Sequence, residues 1–255
     1  MTVHPTDDPI TTVALRQADR TVVLAQRLVS WITHTHELEE EIALANIGVD
    51  LLGQARALYS AVAEREGTGL TEDDYAYHRD DWQFRNPLLV EQANGDFAHT
   101  MVRQFLHDAY ATELWNGLLT STDERLAAIA GKAVKETAYH LRHSGTWVVR
   151  LGDGTPESHD RAQDALDRLW RFTGELFESD DVVAGLVATG VVPDPEDLRR
   201  RWDATVDRVL GQATLVPPAD VVMATGGWSG HHGEALSRLL GEMQVLQRTH
   251  PGASW

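Results

Sequence analysis

The feature that most constrains this chain is a seam of small and apolar residues between Ala130 and Leu151. Ala130, Ala133, Thr137, His140, Ser144, Trp147 and Leu151 step by three and four, the spacing of one α-helix face. A strand changes face at every residue and does not fit this spacing. Similar patterns predict helices over 11–33, 37–65, 97–120, 124–151, 157–178, 180–189, 194–212 and 230–249. On the first, Val22, Val29 and Ile32 share a face. On the second, Leu38, Ile42, Ala45, Val49, Leu52 and Tyr59 stand at seam spacing, while Leu44, Ile47, Leu51 and Leu58 mark another apolar face. Gly67 ends the second helix, and Asp96 and Asp123 cap the third and fourth. The GDGT run at 152–155 is a turn, and a polar linker from Thr68 to Gly95 holds one short helix. No segment keeps period two, and no glycine-rich phosphate loop or internal repeat is present. The long helices run roughly 35–45 Å at 1.5 Å per residue, lengths that suit an antiparallel bundle. The expectation is one all-α domain over 1–255, with shorter helices after the long ones and residues 1–10 as a flexible N-terminus.

The seam carries polar residues inward. Gln26 lies between Val22 and Val29, Gln54 interrupts the Leu44–Leu58 face, and Asp108 falls among Met101, Phe105 and Trp115. Thr137 and His140 stand three residues apart on the fourth long helix. A ferritin-like di-iron bundle places a Glu on each of two helices and Glu-x-x-His on each of the other two. Here those six positions read Gln26, Leu51, Gln54, Asp108, Thr137 and His140. Only Asp108 and His140 can ligate a metal, and one carboxylate does not neutralise two iron ions. No metal is therefore expected in this chain. The plainer reading makes Asp108 and His140 a hydrogen-bonded pair joined by Gln26 and Gln54, since buried polar groups are normally satisfied. The other reading is a mononuclear metal site completed by Asp50 or Glu136.

Composition narrows the function further. Twenty-two basic against 39 acidic residues give a formal charge of −17, which disfavours nucleic acid and anionic membranes as partners. Zero Cys excludes disulfides and thiolate chemistry. No apolar run reaches the roughly 18 residues of a membrane span, and MTVHPTDDPITT lacks a signal pattern, so a cytoplasmic protein is expected. The acids of HELEEE at 36–41 complement a helix start rather than bind a cation. His231 and His232, adjacent in TGGWSGHHGEA at 225–235, diverge too far to share a metal and read as a loop that docks on a partner. Trp255 reads as an apolar anchor for the tail. No nucleophile elbow or Ser-His-Asp order is present.

Taken in order, six segments carry a family resemblance. They are LAQRL at 24–28, ELEEEIALANIGVDLLGQAR at 37–56, QFRNPLLVEQANGDFAHTMVRQF at 83–105, KETAYHLRHS at 135–144, LWRFTGELF at 169–177 and EMQVLQRTHPGASW at 242–255. The chain resembles the non-catalytic ferritin-like subunit of the bacterial phenylacetyl-CoA ring epoxidase, a multicomponent monooxygenase. The resemblance implies a metal-free structural subunit that pairs with a homologous di-iron catalytic subunit. Further subunits, including a reductase, complete such a complex, and phenylacetyl-CoA is its substrate. It also implies a CoA-thioester contact by Gln83, Phe84, Arg85 and Asn86, where Arg85 replaces the small polar residue common in the family. A second contact is implied at Ala184, Gly185 and Leu186, in a stretch that departs from the family pattern. The residues of QFRN are compatible with that role, because an amide, a ring and a guanidinium suit adenine or phosphate; an ordinary loop leading into Pro87 is the competing reading. The rival functions are an autonomous di-iron oxidase, separated by iron content, and a stand-alone CoA-thioester binding protein, separated by whether a second ferritin-like chain co-purifies.

Overall fold

A computed structural model describes residues 8–35 and 37–253. His36, Trp255 and the first seven residues, with most of the expected N-terminal segment and the tail anchor, lie outside the described residues. The described chain is all-α and contains no strand. No described helix is long and apolar enough to cross a membrane. The chain forms two compact units, one from residues 1–93 and 226–255, the other from 94–225. Each is a ferritin-like helical hairpin with shorter helices packed on it.

In the first unit, Asp8 caps α1 (Pro9–Val29) by accepting from the Thr11 N–H at 3.0 Å, and Pro9 sits in the first turn, where a missing N–H costs nothing. Pro9 and Ile10 are thus helical. α1 stops before the expected residue 33, because the chain turns there: Thr33 has φ +74°, and Ile32 is exposed. α2 (Leu38–Glu66) ends at Gly67, whose φ of +62° favours glycine. The hairpin is antiparallel. Gly48 faces Ala25 and Val29, while Tyr59, further along α2, reaches back to Asp19 on α1. A Cβ on Gly48 would come within 3.3 Å of Val29, so the residue lets the helices approach closely. Of the two apolar faces on α2, Leu44, Ile47, Leu51 and Leu58 are buried. Leu38, Ile42 and Val49, expected on the seam, are 67%, 52% and 64% exposed. The linker holds two short helices, α3 (Glu72–Tyr77) and α4 (Leu88–Glu91), with a 3-10 turn at Asp81–Gln83 between them. The C-terminal α10 (Glu234–Thr249) packs on α1, α3 and α4.

The second unit is built on α5 (Phe97–Leu118), which is buried nearly all round by α6 (Glu124–Gly152), α7 (Pro156–Leu169) and α9 (Pro195–Gln212). Such a helix lacks a solvent-facing polar stripe, and its polar residues Thr100, Arg103, Gln104, His107 and Asp108 are buried with the apolar ones. Asp96 and Asp123 cap α5 and α6 through the His99 and Leu126 N–H groups at 2.9 Å each. The expected helix 157–178 stops at Leu169 and continues as 3-10 turns at Trp170–Phe172 and Gly174–Phe177. Packing explains the change. Trp170 and Phe177 both reach the Trp202 ring, at 5.6 and 5.4 Å between centroids, and a Cβ on Gly174 would lie 2.8 Å from Met223. α8 (Asp181–Ala188) follows.

Candidate functional site

The QFRN loop is fastened from inside. Phe84 and Asn86 are fully buried, Gln83 is nearly so, and Arg85 is half-buried. The fastening begins at Asp19 on α1, itself wholly buried and ion-paired with the equally buried Arg79. The Tyr59 hydroxyl donates to Asp19 at 2.6 Å, and the Arg85 backbone N–H donates to its other oxygen at 2.7 Å. Arg79 also donates to the Gln83 carbonyl at 3.1 Å and lies 4.2 Å from the centre of the Phe84 ring. Burial is the strongest single influence on Arg79 and pulls its pKa down, but the charges and hydrogen bonds of Asp19 and Tyr59 together outweigh it, and the net shift is upward. Tyr59 goes well above its ordinary value, through burial first and the Asp19 charge second. Breaking such a pair by removing one partner strands a buried charge.

A second fastening holds the loop from the C-terminal side. Glu91, 1% exposed, accepts from the Gly233 N–H at 2.9 Å and from the Asn86 amide at 3.3 Å. His232 Nδ1 lies 2.8 Å from Glu91, and its Nε2 lies 2.9 Å from the Phe84 carbonyl. Both ring nitrogens thus face acceptors, and only the doubly protonated ring donates to both. Burial lowers the His232 pKa, but the Glu91 and Phe84 hydrogen bonds outweigh that, and it rises above 6.5. Arg27 adds to the junction by donating to the Glu91 and Ala235 carbonyls at 2.6 and 2.9 Å. Gly230 is required here. Its φ is +85°, and a Cβ would fall 2.3 Å from an Arg85 guanidinium nitrogen. The histidine loop, expected to meet a partner, therefore docks on its own chain.

What the loop offers to a ligand is the remaining surface of Arg85 and the 54%-exposed ring of Trp82. One Arg85 nitrogen is committed to the Trp82 and Phe84 carbonyls, at 2.7 and 2.8 Å. A groove of about 560 Å³ opens beside Trp82 and is flanked by Asp80 and Asp81, with α10 as its other wall. The second expected segment belongs to the other unit and is helical. Ala184 and Gly185 are exposed on α8, and Leu186 is buried beneath them.

The template positions can be followed within each unit. In the first, Gln26 is half-buried, and Leu51 and Gln54 are buried on one face of α2. None carries charge. In the second, Asp108, Thr137 and His140 are all buried. Thr137 turns its hydroxyl back to the Ala133 carbonyl at 2.9 Å. Asp108 accepts from the Gln104 amide at 2.7 Å and the Ser144 hydroxyl at 2.8 Å, and His107 Nδ1 lies 3.1 Å away. Both carboxylate oxygens are already engaged by protein groups. Among the described residues, no three of His, Cys, Asp or Glu gather as metal ligands. This donor set does not fit a di-iron centre.

Sequence reasoning found Asp108 through the helical seam but missed Asp19, Arg79 and Glu91 as buried residues and His232 as a nearly buried ring, its side chain 3% exposed. Three of these sit in segments whose polar composition reads as exposed linker or loop.

An all-α, ferritin-like chain with these inward residues lies outside the di-iron-ligating pattern of that fold. The chain is a member of the family described as "Phenylacetic acid catabolic protein", which it matches over residues 2–255. It is 48% identical over 246 residues to one of the subunits of 1,2-phenylacetyl-CoA epoxidase from Escherichia coli (strain K12), an alignment that covers 96% of this chain and 99% of that one.

Proposed function

We propose that this chain is a structural subunit of a phenylacetyl-CoA epoxidase complex in aerobic phenylacetate catabolism. The observation that carries the reading is the near-end-to-end similarity to an epoxidase subunit. In this reading the chain acts as one domain over 1–255 in the cytoplasm, holds no cofactor, and is not catalytic by itself. It pairs with a homologous subunit that bears the di-iron centre, and a reductase completes the assembly. The engaged oxygens of Asp108 and the inward turn of Thr137 support the metal-free assignment.

The chain's own residues then have a positioning role toward the CoA thioester. Arg79 and Asp19 fix the inner side of the QFRN loop, and His232 and Glu91 fix its outer side. A loop held at both sides presents Arg85 and Trp82 with little ordering cost on binding. Arg85 supplies the charge for a phosphate; Gln83, Phe84 and Asn86 act from beneath it. Ala184 and Gly185 give a second, small-residue contact on α8, with Leu186 anchoring it.

Reconstitution tests the reading. Epoxidation should require both this chain and its di-iron relative, which should co-elute on size-exclusion chromatography. Full turnover by the relative alone would overturn the scaffold role. Anaerobic loading of the isolated chain with ferrous iron should leave no stoichiometric metal, and Thr137→Glu alone should not change that.

A further inference from the structure

The outer face of α6 carries a groove that the reading above leaves without a role. It lies wholly in the second unit, between α6 and α9, with a volume of about 500 Å³. Its floor is small and apolar, formed by Leu141, Gly145, Val149 and Val209, and its rim carries Arg142, Arg150 and Arg208. No acidic residue lines it, although acids outnumber bases 39 to 22 in the chain. Elsewhere the basic side chains commonly find a carboxylate, as Arg56, Arg161, Arg199 and Arg238 do. The three rim arginines are exposed and make no such ion pair among the described residues.

Two of them are held ready. Arg142 lies over the Tyr139 ring at 5.5 Å, and Arg150 over the Trp147 ring at 5.4 Å, each ring three residues earlier on α6. A ring engages the face of a guanidinium and leaves its N–H edge free to grip a carboxylate. Arg142 and Arg150 are separated by roughly 12 Å along the helix at 1.5 Å per residue. Arg208 stands on the opposite wall, next to Val209, which is 4.0 Å from a Cβ built on Gly145. This spacing suits charges spread along an extended or helical segment better than a single phosphate. The floor agrees. A Cβ on Gly145 would meet Phe105 at 3.7 Å, an ordinary contact, so packing does not demand glycine there. Glycine inside a helix is less favourable than alanine, and here its absence of side chain deepens the groove. Tyr, Trp and Arg around an apolar centre is also the composition of protein-interface anchors.

We infer that this groove docks an acidic, amphipathic segment of a protein partner, with an apolar side chain over Gly145 and carboxylates on Arg142, Arg150 and Arg208. Charge complementarity favours this occupant. A chain of net charge −17 disfavours an acidic partner as a whole, and an acid-free arginine patch offsets that locally. The inference does not depend on which complex the chain joins.

The test uses the full chain and a fluorescein-labelled helical 16-residue peptide with a leucine stripe flanked by glutamates. Fluorescence anisotropy should show saturable binding at low salt that weakens as salt rises. Arg142→Glu with Arg208→Glu should weaken it at least about tenfold, with an unchanged melting temperature. Gly145→Met, which fills the floor, should weaken it without altering charge. A peptide with lysine for glutamate should not bind, and one with serine for leucine should bind less. No binding by the parent chain overturns the inference, as does equal binding by the arginine variants. If the peptide binds as expected but the chain fails to assemble with its di-iron relative, the proposed function fails and the groove assignment stands. Where charge reversal prevents folding, Arg142→Gln with Arg208→Gln gives the same readout.

Discussion

Each unit buries a carboxylate completely, and the two are compensated in different ways. Asp19 on α1 meets a full cation, Arg79, which comes from 60 residues away, and a backbone N–H from 66 residues away. Asp108 on α5 takes Gln104 from its own helix and the neighbouring ring of His107, with Ser144 of α6 the more distant donor. The first arrangement fastens a loop to a helix. The second satisfies a polar group within a helix pair. The compensation of Asp19 is therefore a tertiary device, and that of Asp108 is largely a local one. The loop that the first device secures is the one proposed to meet the CoA thioester.

The largest effect should come from breaking the ion pair. Arg79→Met leaves Asp19 buried without its cation and should cost about 3–5 kcal/mol in urea denaturation. Adding Asp19→Leu to that variant should recover part of the loss. The contrast between units collapses if Arg79→Met costs no more than Asp108→Ala. That second variant should cost about 1–3 kcal/mol, because it leaves the buried Gln104 amide without its Asp108 acceptor, whereas the Ser144 hydroxyl still has the His140 carbonyl at 2.9 Å. Asp108→Asn should cost less, since an amide oxygen still accepts.

A pH series sharpens the comparison, because the loop's outer fastening uses a titratable ring. The His232 pKa is raised in the folded state, so its contribution is complete below 6.5 and is lost as pH rises through the folded value. Glu91 and the Phe84 carbonyl face the ring directly, and Asp19 adds a favourable field. The stability gap between the parent and His232→Gln should therefore be widest in acid and narrow as pH rises. A gap that is constant with pH, or widens in base, would show that the ring is not held as a cation.

The smallest expected stability effect belongs to Arg85→Ala, about 1 kcal/mol, because it removes only the bonds of one half-buried guanidinium nitrogen to the Trp82 and Phe84 carbonyls. In the assembled complex it should raise KM for the CoA thioester with little change in kcat. Phe84→Ala is a poor probe of binding. It removes a fully buried ring and should cost about 3–5 kcal/mol through folding alone. Unchanged KM in Arg85→Ala would remove the loop from the substrate surface.

Much of this fold is legible from residue order. Period-three-and-four seams, the caps Asp96 and Asp123 and the stop at Gly67 are local signals, and the structure carries them where the spacing predicts. The buried positions of Asp108, Thr137 and His140 follow from the same periodicity. The failures share one cause. α2 carries two apolar faces, and periodicity does not say which one meets α1; Leu44 and Leu51 are buried, while Leu38 and Val49 are exposed. Residues 68–95 read as a polar linker, yet Arg79, Asn86 and Glu91 are buried within it. A polar residue looks solvent-exposed until its partner is known, and those partners lie on other segments: Asp19 for Arg79, His232 and Gly233 for Glu91. Sequence alone thus determined the order of the long helices, the caps at Asp96 and Asp123 and the stop at Gly67, because backbone hydrogen bonding and side-chain period are local. Only the tertiary structure decided which face is core, which loop is locked and where unpaired arginines gather, because those depend on which distant groups neutralise one another.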